Sequence, residues 1–384
     1  MQPRERLLLA LDHKEADRVP IDLGAGIACS INVAAYGNLK AHLGLNTLTT
    51  VSNRFSQIAN LEEEVLHRFG VDVRALRPGA IGAGEPSTWP DSWEGDADEW
   101  GVIWAKRPYG QPYEVDSPLW RGEPTLADLR RCPWPDPKAG VDPGQLRQKA
   151  RRWREETDYG LVLSLSYYPF TQSHLLRGLA NWLMDLAGNR PFAEALLDAV
   201  TDVLVARLDH VLGAVGDLVD VVGWGDDLSH QHGPMISRDM YRGIVRPRYR
   251  RVMDAIKRGT AAKAYFHTCG SVYWLVPELI DLGIDILNPV QVSAAEMDDT
   301  ARLKREFGRD ICFWGGGCNS QSVLPLGTPL QVREEVRRRV GDLAPGGGFV
   351  FAPVHIIQSE VPPENVVAMF EAALEFGGYG AVSR

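Results

Sequence analysis

Residues 262–291 contain one strand–helix–strand unit and read AKAYFHTCGSVYWLVPELIDLGIDILNPVQ. Ala262–His267 and Ile284–Asn288 are short apolar runs typical of buried strands, whereas Trp274–Leu282 between them has the length and composition of a helix. A strand, a helix and a second strand in close succession predict two parallel strands joined by a helical crossover.

The same alternation continues on both sides of this unit. Further strands are predicted at Arg18–Leu23, Val71–Leu76, Leu161–Ser166, Leu218–Trp224, Ile311–Trp314 and Gly348–Ala352, with helical segments in the intervening chain after Leu161. Eight strands, and no glycine-rich dinucleotide fingerprint after the first of them, favour a closed barrel over an open doubly wound sheet. The predicted fold class is therefore α/β, a (β/α)8 TIM barrel forming a single domain over residues 1–384.

An irregular segment interrupts this pattern in the N-terminal half, at about residues 78–143. It is rich in Pro, Gly, Asp and Trp, as in Cys132–Pro137. Asp98–Trp104 alternates as a hairpin strand would and is continued by Tyr113–Val115. Because a segment this rich in loops cannot bury much of its own surface, we expect it to be an insertion that packs over the barrel.

Composition narrows the functional classes. The formal net charge of −9 argues against a nucleic-acid-binding protein, which usually carries a basic stripe. No run approaches the roughly 20 apolar residues that span a bilayer, so no membrane association is expected. Five cysteines in 384 residues fit reduced thiols better than a disulfide framework, which favours a cytoplasmic location.

Two strand ends carry residues that bind zinc in other proteins. His267 and Cys269 lie two residues apart at the end of a strand and would project to the same face. Cys318 follows the strand Ile311–Trp314 and a run of glycines, and could meet this pair across the barrel mouth. Three ligands with a fourth position open are typical of a catalytic zinc. The alternative is a buried histidine with two buried free cysteines.

Other strand ends supply polar residues for catalysis and substrate binding. Asp226, Asp227 and His355 are the candidate catalytic groups, for proton transfer or for orienting a metal ligand. Because adjacent residues on a strand face opposite ways, only one of the two carboxylates is expected to enter the site. The alternative interpretation is that Asp226 and Asp227 form a helix N-cap or a loop turn. The candidate substrate-binding residues are Trp224, Asn288, Gln291 and Gln358.

Several of these segments together resemble a known family. The segments are Gly225–Asp227, His267–Val272, Asp285–Gln291, Trp314–Cys318 and Pro362–Asn365. They resemble the uroporphyrinogen decarboxylase superfamily, and within it the corrinoid-linked, zinc-dependent methyltransferases, which include methylcobalamin:coenzyme M methyltransferases and enzymes of O-demethylation systems. The resemblance implies a (β/α)8 barrel in which His267, Cys269 and Cys318 bind zinc. It also implies a corrinoid (cobalamin) held by a separate partner protein.

The expected activity follows from this resemblance. It is the transfer of a methyl group between a small O-, N- or S-methyl donor, such as a methoxylated aromatic, and a corrinoid protein or a thiol. True decarboxylases of the family have an arginine-rich segment near the N-terminus, whereas Ile21–Cys29 here contains no arginine. A porphyrinogen would lack counter-charges there. A metal-independent lyase acting on another carboxylate, or a non-catalytic carrier, are the alternatives. An exposed barrel flank could support a homodimer.

Overall fold

Parallel strands and intervening helices make up most of the computed structural model, which describes residues 1–53, 56–78, 94–105, 113–165 and 167–380. The strands are β1 (Val51–Asn53), β2 (Ile58–Ala59), β3 (Val73–Leu76), β4 (Glu94–Ala97), β5 (Ile103–Ala105), β6 (Tyr113–Asp116), β7 (Gly160–Ser164), β8 (Val221–Gly225), β9 (Ser229–His230), β10 (Gly233–Pro234), β11 (Lys263–His267), β12 (Ile286–Asn288), β13 (Cys312–Trp314) and β14 (Phe349–Val350).

The helices occupy most of the chain between the strands. They are α1 (Pro3–Leu11), α2 (Val33–His42), α3 (Glu63–Arg68), α4 (Leu126–Arg131), α5 (Pro143–Glu156), α6 (Pro169–Arg177), α7 (Leu179–Gly188), α8 (Arg190–Val215), α9 (Arg238–Met240), a π-helical turn (Tyr241–Val245), α10 (Arg246–Gly259), α11 (Val276–Leu282), α12 (Thr300–Phe307), α13 (Val323–Leu326), α14 (Pro329–Leu343) and α15 (Pro363–Phe376). No helix within the described ranges is long and apolar enough to cross a lipid bilayer.

Seven strands form one parallel sheet in the order β14-β13-β12-β11-β8-β7-β3. Helices lie between successive strands along the chain, as parallel connections require. The α/β class and the parallel sheet are thereby confirmed, and the architecture is consistent with a TIM-barrel-like fold. Each of these strands overlaps a predicted apolar run, because runs buried on both faces are continuous in sequence.

The eighth predicted strand, Arg18–Leu23, is reduced to a short bridging segment. Ile21 forms an isolated parallel bridge with Phe351, directly after β14. Asp72, directly before β3, donates its backbone N–H to the Ile21 carbonyl at 2.8 Å. The segment therefore joins the two edges of the sheet. A longer ladder is prevented because Pro20 has no N–H and the Ile21 N–H binds the Asp72 side chain.

Asp72 is the centre of an ion-pair cluster at this closure, which we call the closure cluster (Arg6, Arg18 and Asp72). The Asp72 side chain is 1% exposed, and accepts hydrogen bonds from Arg6, from Arg18 at 2.8 Å and from the Ile21 N–H at 2.8 Å. Arg6 also pairs with Asp17, whose side chain is 42% exposed. The closure of the sheet thus depends on a buried carboxylate whose partners come from two separate segments, α1 and the chain around Ile21.

The described part of the predicted insertion contains a second, antiparallel sheet. β5 pairs with β4 on one side and with β6 on the other, as the predicted hairpin and its continuation require. Glu99, in the turn between β4 and β5, forms a two-point ion pair with Arg207 of α8 at 2.7 and 2.8 Å. Residues 79–93 and 106–112 lie outside the described residues, so the insertion limits and the single-domain boundary remain predictions.

Candidate metal and substrate site

The carboxyl ends of three adjacent strands lie at one level of the sheet. His267 at the end of β11 is in register with Gly225 of β8 and with Asn288 of β12. In barrels of this type the chemistry is carried by residues at this end of the strands. A Cβ atom added at Gly225 would lie 2.3 Å from the His267 carbonyl oxygen, so only glycine allows the two strands to approach here.

Three side chains that can bind a metal converge beside β11. Ligand atoms of His267, Cys269 and His355 all lie within 4.8 Å of one another, and we call these residues the donor group. The Cys269 Sγ atom is 3.5 Å from His267 Nε2. His355 comes from the chain that follows β14, and its ring centroid is 6.1 Å from that of His267. The structure therefore brings together two residues predicted as zinc ligands and one predicted as catalytic.

Asn288 fixes the orientation of the His267 ring. Its Nδ2 donates to the Trp314 carbonyl oxygen at 2.8 Å, so its Oδ1 faces the His267 Nδ1 at 2.7 Å. An amide oxygen only accepts hydrogen bonds, so Nδ1 of His267 must carry the proton. In the neutral ring Nε2 is then the nitrogen with a free lone pair, and it faces the donor group, as in many metal sites where a neighbouring residue sets the histidine tautomer. Asn288, predicted to contact substrate, is instead fully buried behind His267.

The two other donors differ in protonation. Desolvation lowers the pKa of His355 to about 4, helped by His267 and opposed by Asp227. His355 is therefore neutral at physiological pH, the form that binds metals. Burial raises the pKa of the Cys269 thiol well above its usual value, and the Asp227 carboxylate adds to this shift. A bound cation would oppose the shift because it favours the thiolate.

The adjacent carboxylates Asp226 and Asp227 separate as strand geometry predicts. Asp227 Oδ1 accepts the Cys269 N–H at 2.8 Å, and the residue lines a cavity. Asp226 is fully buried and accepts the backbone N–H groups of Phe170 and Thr171 at the start of α6. Burial raises the pKa of Asp226 to about 7, against the effect of these hydrogen bonds. Asp226 thus serves as a helix cap, and Asp227 is the carboxylate that faces the site.

A cavity of about 950 Å³ opens beside the donor group. His267, His355 and Asp227 line it together with Tyr168, and further walls come from the Gly26–Ser30 segment and the turn that contains Glu99. Its volume lies at the upper end of the range for small-molecule sites. A small organic substrate would fit beside the donor group.

Comparisons with known proteins agree with this architecture. The family model described as Uroporphyrinogen decarboxylase (URO-D) matches residues 120–376, more than half of the chain. The chain belongs to the uroporphyrinogen decarboxylase family. Its predicted resemblance to that superfamily is thereby confirmed.

Individual members of the uroporphyrinogen decarboxylase family are distant in sequence. Uroporphyrinogen decarboxylase from Methylococcus capsulatus is 26% identical over 65% of this chain and 69% of its own length. The enzyme of that name from Actinobacillus succinogenes is 27% identical over 47% of this chain and 48% of its own. A solved structure, "methyltransferase from Methanosarcina mazei", has 18% identity and a TM-score of 0.66, covering 98% of this chain and 99% of its own. At that identity the likeness concerns the fold.

Cys318 differs most from its predicted position in this member of the uroporphyrinogen decarboxylase family. It is fully buried, and its Sγ atom is 3.6 Å from Glu335 of α14. It is not part of the donor group, which is the cluster of potential metal ligands found among the described residues. Gly315 and Gly316, with φ of 92° and 91°, turn the chain away from the strand direction. The side chain of Cys318 therefore points toward α14.

The predicted substrate-binding residues also have other partners. Trp224 is fully buried and packs against Phe266 and against Tyr249 of α10, on the helix-facing side of the sheet. Gln291 accepts the Gly270 N–H at 2.7 Å, and so stabilises the loop after Cys269. Gln358 donates to the nearby Ile356 carbonyl at 2.9 Å. Trp224 lies between Gly223 and Gly225 on β8, so its side chain faces the opposite way from theirs, toward the helices.

Four cavity residues were not predicted from the sequence: Ser30, Arg77, Lys149 and Tyr167. Arg77 directly follows β3, and its position at a strand end could have identified it. Tyr167 directly follows the predicted strand Leu161–Ser166, so its position at a strand end could likewise have identified it. Lys149 lies on α5 and Ser30 in a loop, so no local pattern indicates that either reaches the cavity.

Proposed function

We propose that this protein is a zinc-dependent methyltransferase that moves a methyl group between a small donor and a corrinoid protein or a thiol. The observation that carries the proposal is the donor group: His267, Cys269 and His355 converge at the strand ends beside a substrate-sized cavity. The name of the Methanosarcina mazei structure, a methyltransferase with the same fold, supports the same activity.

The chemistry of the donor group fits zinc. Two imidazoles and one thiolate are ligands that zinc prefers, and three protein ligands leave a fourth position for substrate. His267 offers an unprotonated Nε2 because Asn288 holds the other ring nitrogen, and His355 is neutral. Zinc would supply Lewis acidity, lowering the pKa of a bound thiol or hydroxyl, or stabilising the oxygen that leaves a methyl ether.

The chain's own residues would position the reactants. Asp227 accepts the Cys269 N–H and so fixes the loop that carries this ligand, while its carboxylate faces the cavity. Asp227 is the catalytic carboxylate that we propose for handling the proton lost from a thiol or gained by a leaving oxygen. Tyr168 lines the cavity, and an aromatic side chain there suits a methoxylated aromatic donor. A corrinoid held by a separate protein would approach at the cavity mouth.

A metal-independent lyase acting on a carboxylate is the second candidate. It is favoured by the names of the curated relatives and by arginine and lysine side chains in the cavity. The two candidates differ in their dependence on Cys269. A lyase should retain turnover when this thiol is removed, whereas the methyltransferase should lose it.

The decisive experiment measures zinc and methyl transfer on the same preparation. We expect about one zinc per chain by elemental analysis, and zinc-dependent transfer from methylcobalamin to a thiol or from a methoxylated aromatic to a reduced corrinoid. Chelation should abolish transfer, and added zinc should restore it. Transfer that persists in zinc-free protein would refute the proposal, as would a protein that neither contains nor takes up zinc.

Asn288→Leu is expected to weaken zinc binding by about 10- to 100-fold, because His267 loses the partner that fixes its tautomer. Competition with a chromophoric chelator would measure the change. Gln358→Leu is the matched control, since that amide bonds only within its own loop. Equal zinc affinity in the two folded variants would show that Asn288 does not orient a zinc ligand.

A further inference from the structure

Two of the cations that line the cavity are open to a ligand. Arg77 and Lys149 both line it, and within the described ranges neither forms an ion pair. The Arg77 guanidinium donates to the Gly24 carbonyl oxygen, which leaves most of its N–H groups unused. A third cavity cation, Arg207, is neutralised by Glu99. Arg77 and Lys149 are thus the cavity cations available to a ligand.

The acidic groups near them are already occupied. Asp98 accepts three N–H groups from its own hairpin, and Asp227 accepts the Cys269 N–H. Asp22, whose charge acts on Arg77, is not among the cavity residues and accepts the N–H groups of Ala25, Gly26 and Trp314. Moreover, desolvation lowers the pKa of Lys149 and the charge of Arg77 adds to this shift, so the two cations repel each other. Both side chains are exposed, and an anion bound between them would relieve this repulsion.

Two hydroxyl groups of the same cavity are also unsatisfied. Ser30 is 2% exposed and Tyr167 4% exposed, and both line the cavity. In the described structure neither hydroxyl has a hydrogen-bond partner. Buried polar groups are nearly always paired in folded proteins, so unpaired donors beside free cations indicate a site for a ligand with several acceptor oxygens.

We propose that Arg77 and Lys149, with the hydroxyls of Ser30 and Tyr167, bind a carboxylate on the substrate of this protein. Arginine matches the two oxygens of a carboxylate with paired N–H groups, and lysine adds a second charge. The identity of the rest of the ligand, beyond its carboxylate, rests on the proposed function. The methyl donor would be a methoxylated aromatic acid, with the carboxylate at the cations and the methoxy group toward the donor group.

Isothermal titration of the purified full chain with 4-methoxybenzoate and with 4-methoxybenzamide tests the proposal. The two probes have nearly the same shape and differ in charge. We expect the benzoate to bind about 10- to 100-fold more tightly, the range that a charged hydrogen bond contributes. Arg77→Gln should bring the affinity for benzoate close to that for benzamide, and Lys149→Gln should act in the same direction.

Arg151→Gln is the matched control, because it removes the same charge from an exposed position of α5 that does not line the cavity. It should leave both affinities unchanged. Equal binding of the two probes would overturn the proposal, as would unaltered benzoate binding in Arg77→Gln, or no benzoate binding at millimolar concentration and low ionic strength.

The titration also separates this inference from the proposed function. Binding needs neither zinc nor a corrinoid, so charge-selective binding by a protein without methyl transfer would support the carboxylate site and refute the methyltransferase. Conversely, a zinc-dependent methyltransferase that binds both probes equally would retain its proposed function and lose this site.

Discussion

His355→Ala is expected to lower the affinity for zinc by more than about a hundredfold, whereas Cys318→Ala should keep about one zinc per chain. The reason is geometric. The imidazole of His355 has a nitrogen within 4.8 Å of ligand atoms on both His267 and Cys269, while the Cys318 thiol faces Glu335. Elemental analysis and chelator competition on the two variants, beside Cys269→Ala as a positive control for loss, would measure the difference.

The outcome would choose between two ligand sets. Zinc lost from Cys318→Ala but kept in His355→Ala would favour the set His267, Cys269 and Cys318 that the family resemblance implies, and would contradict the donor group. Circular dichroism should accompany both measurements, because Cys318 is fully buried and its loss could affect folding. Zinc kept in the Cys269→Ala control would refute both sets.

Asp72→Ala is expected to reduce the free energy of unfolding by about 3–5 kcal/mol, the usual effect of removing one partner from a buried ion pair. Asp72 is 1% exposed and pairs with Arg6 and Arg18. Its loss would leave the Arg6 guanidinium largely buried and the Ile21 N–H without its acceptor. Chemical denaturation followed by fluorescence would measure the change.

Asp17→Ala provides the comparison, because Asp17 binds the same arginine but is 42% exposed. Exposed pairs contribute about 0–1 kcal/mol, so a small effect is expected there. If both substitutions destabilised the protein equally, burial of Asp72 would not explain how the closure cluster stabilises the protein.

The sequence predicted the fold better than it predicted the site. The strands β7, β8, β11, β12 and β13 were located because a strand buried on both faces leaves an uninterrupted apolar run. The segment around Ile21 was less well predicted, since its backbone donor bonds a side chain from another part of the chain. The periodicity of a sequence does not show that a side chain distant in the chain will take the place of a backbone hydrogen-bond partner.

Within the site, residues on regular backbone were placed correctly relative to one another. His267 and Cys269 converge, and Asp226 and Asp227 diverge, as strand geometry requires. Cys318 follows two glycines in the left-handed region, where alternation no longer gives the direction of a side chain. His355 joined the donor group through the curvature of the sheet, which a single sequence does not reveal.

The ion pair between Glu99 and Arg207 limits how ligands reach the cavity. Glu99 lines the cavity, and its partner Arg207 is 4% exposed. Moving this wall outward would leave a buried guanidinium without its counter-charge, at a cost of about 3–5 kcal/mol. At equilibrium about one molecule in a hundred, or fewer, would then have this wall displaced. The turn between β4 and β5 is therefore a fixed wall of the cavity, and ligand exchange is expected to leave this wall in place.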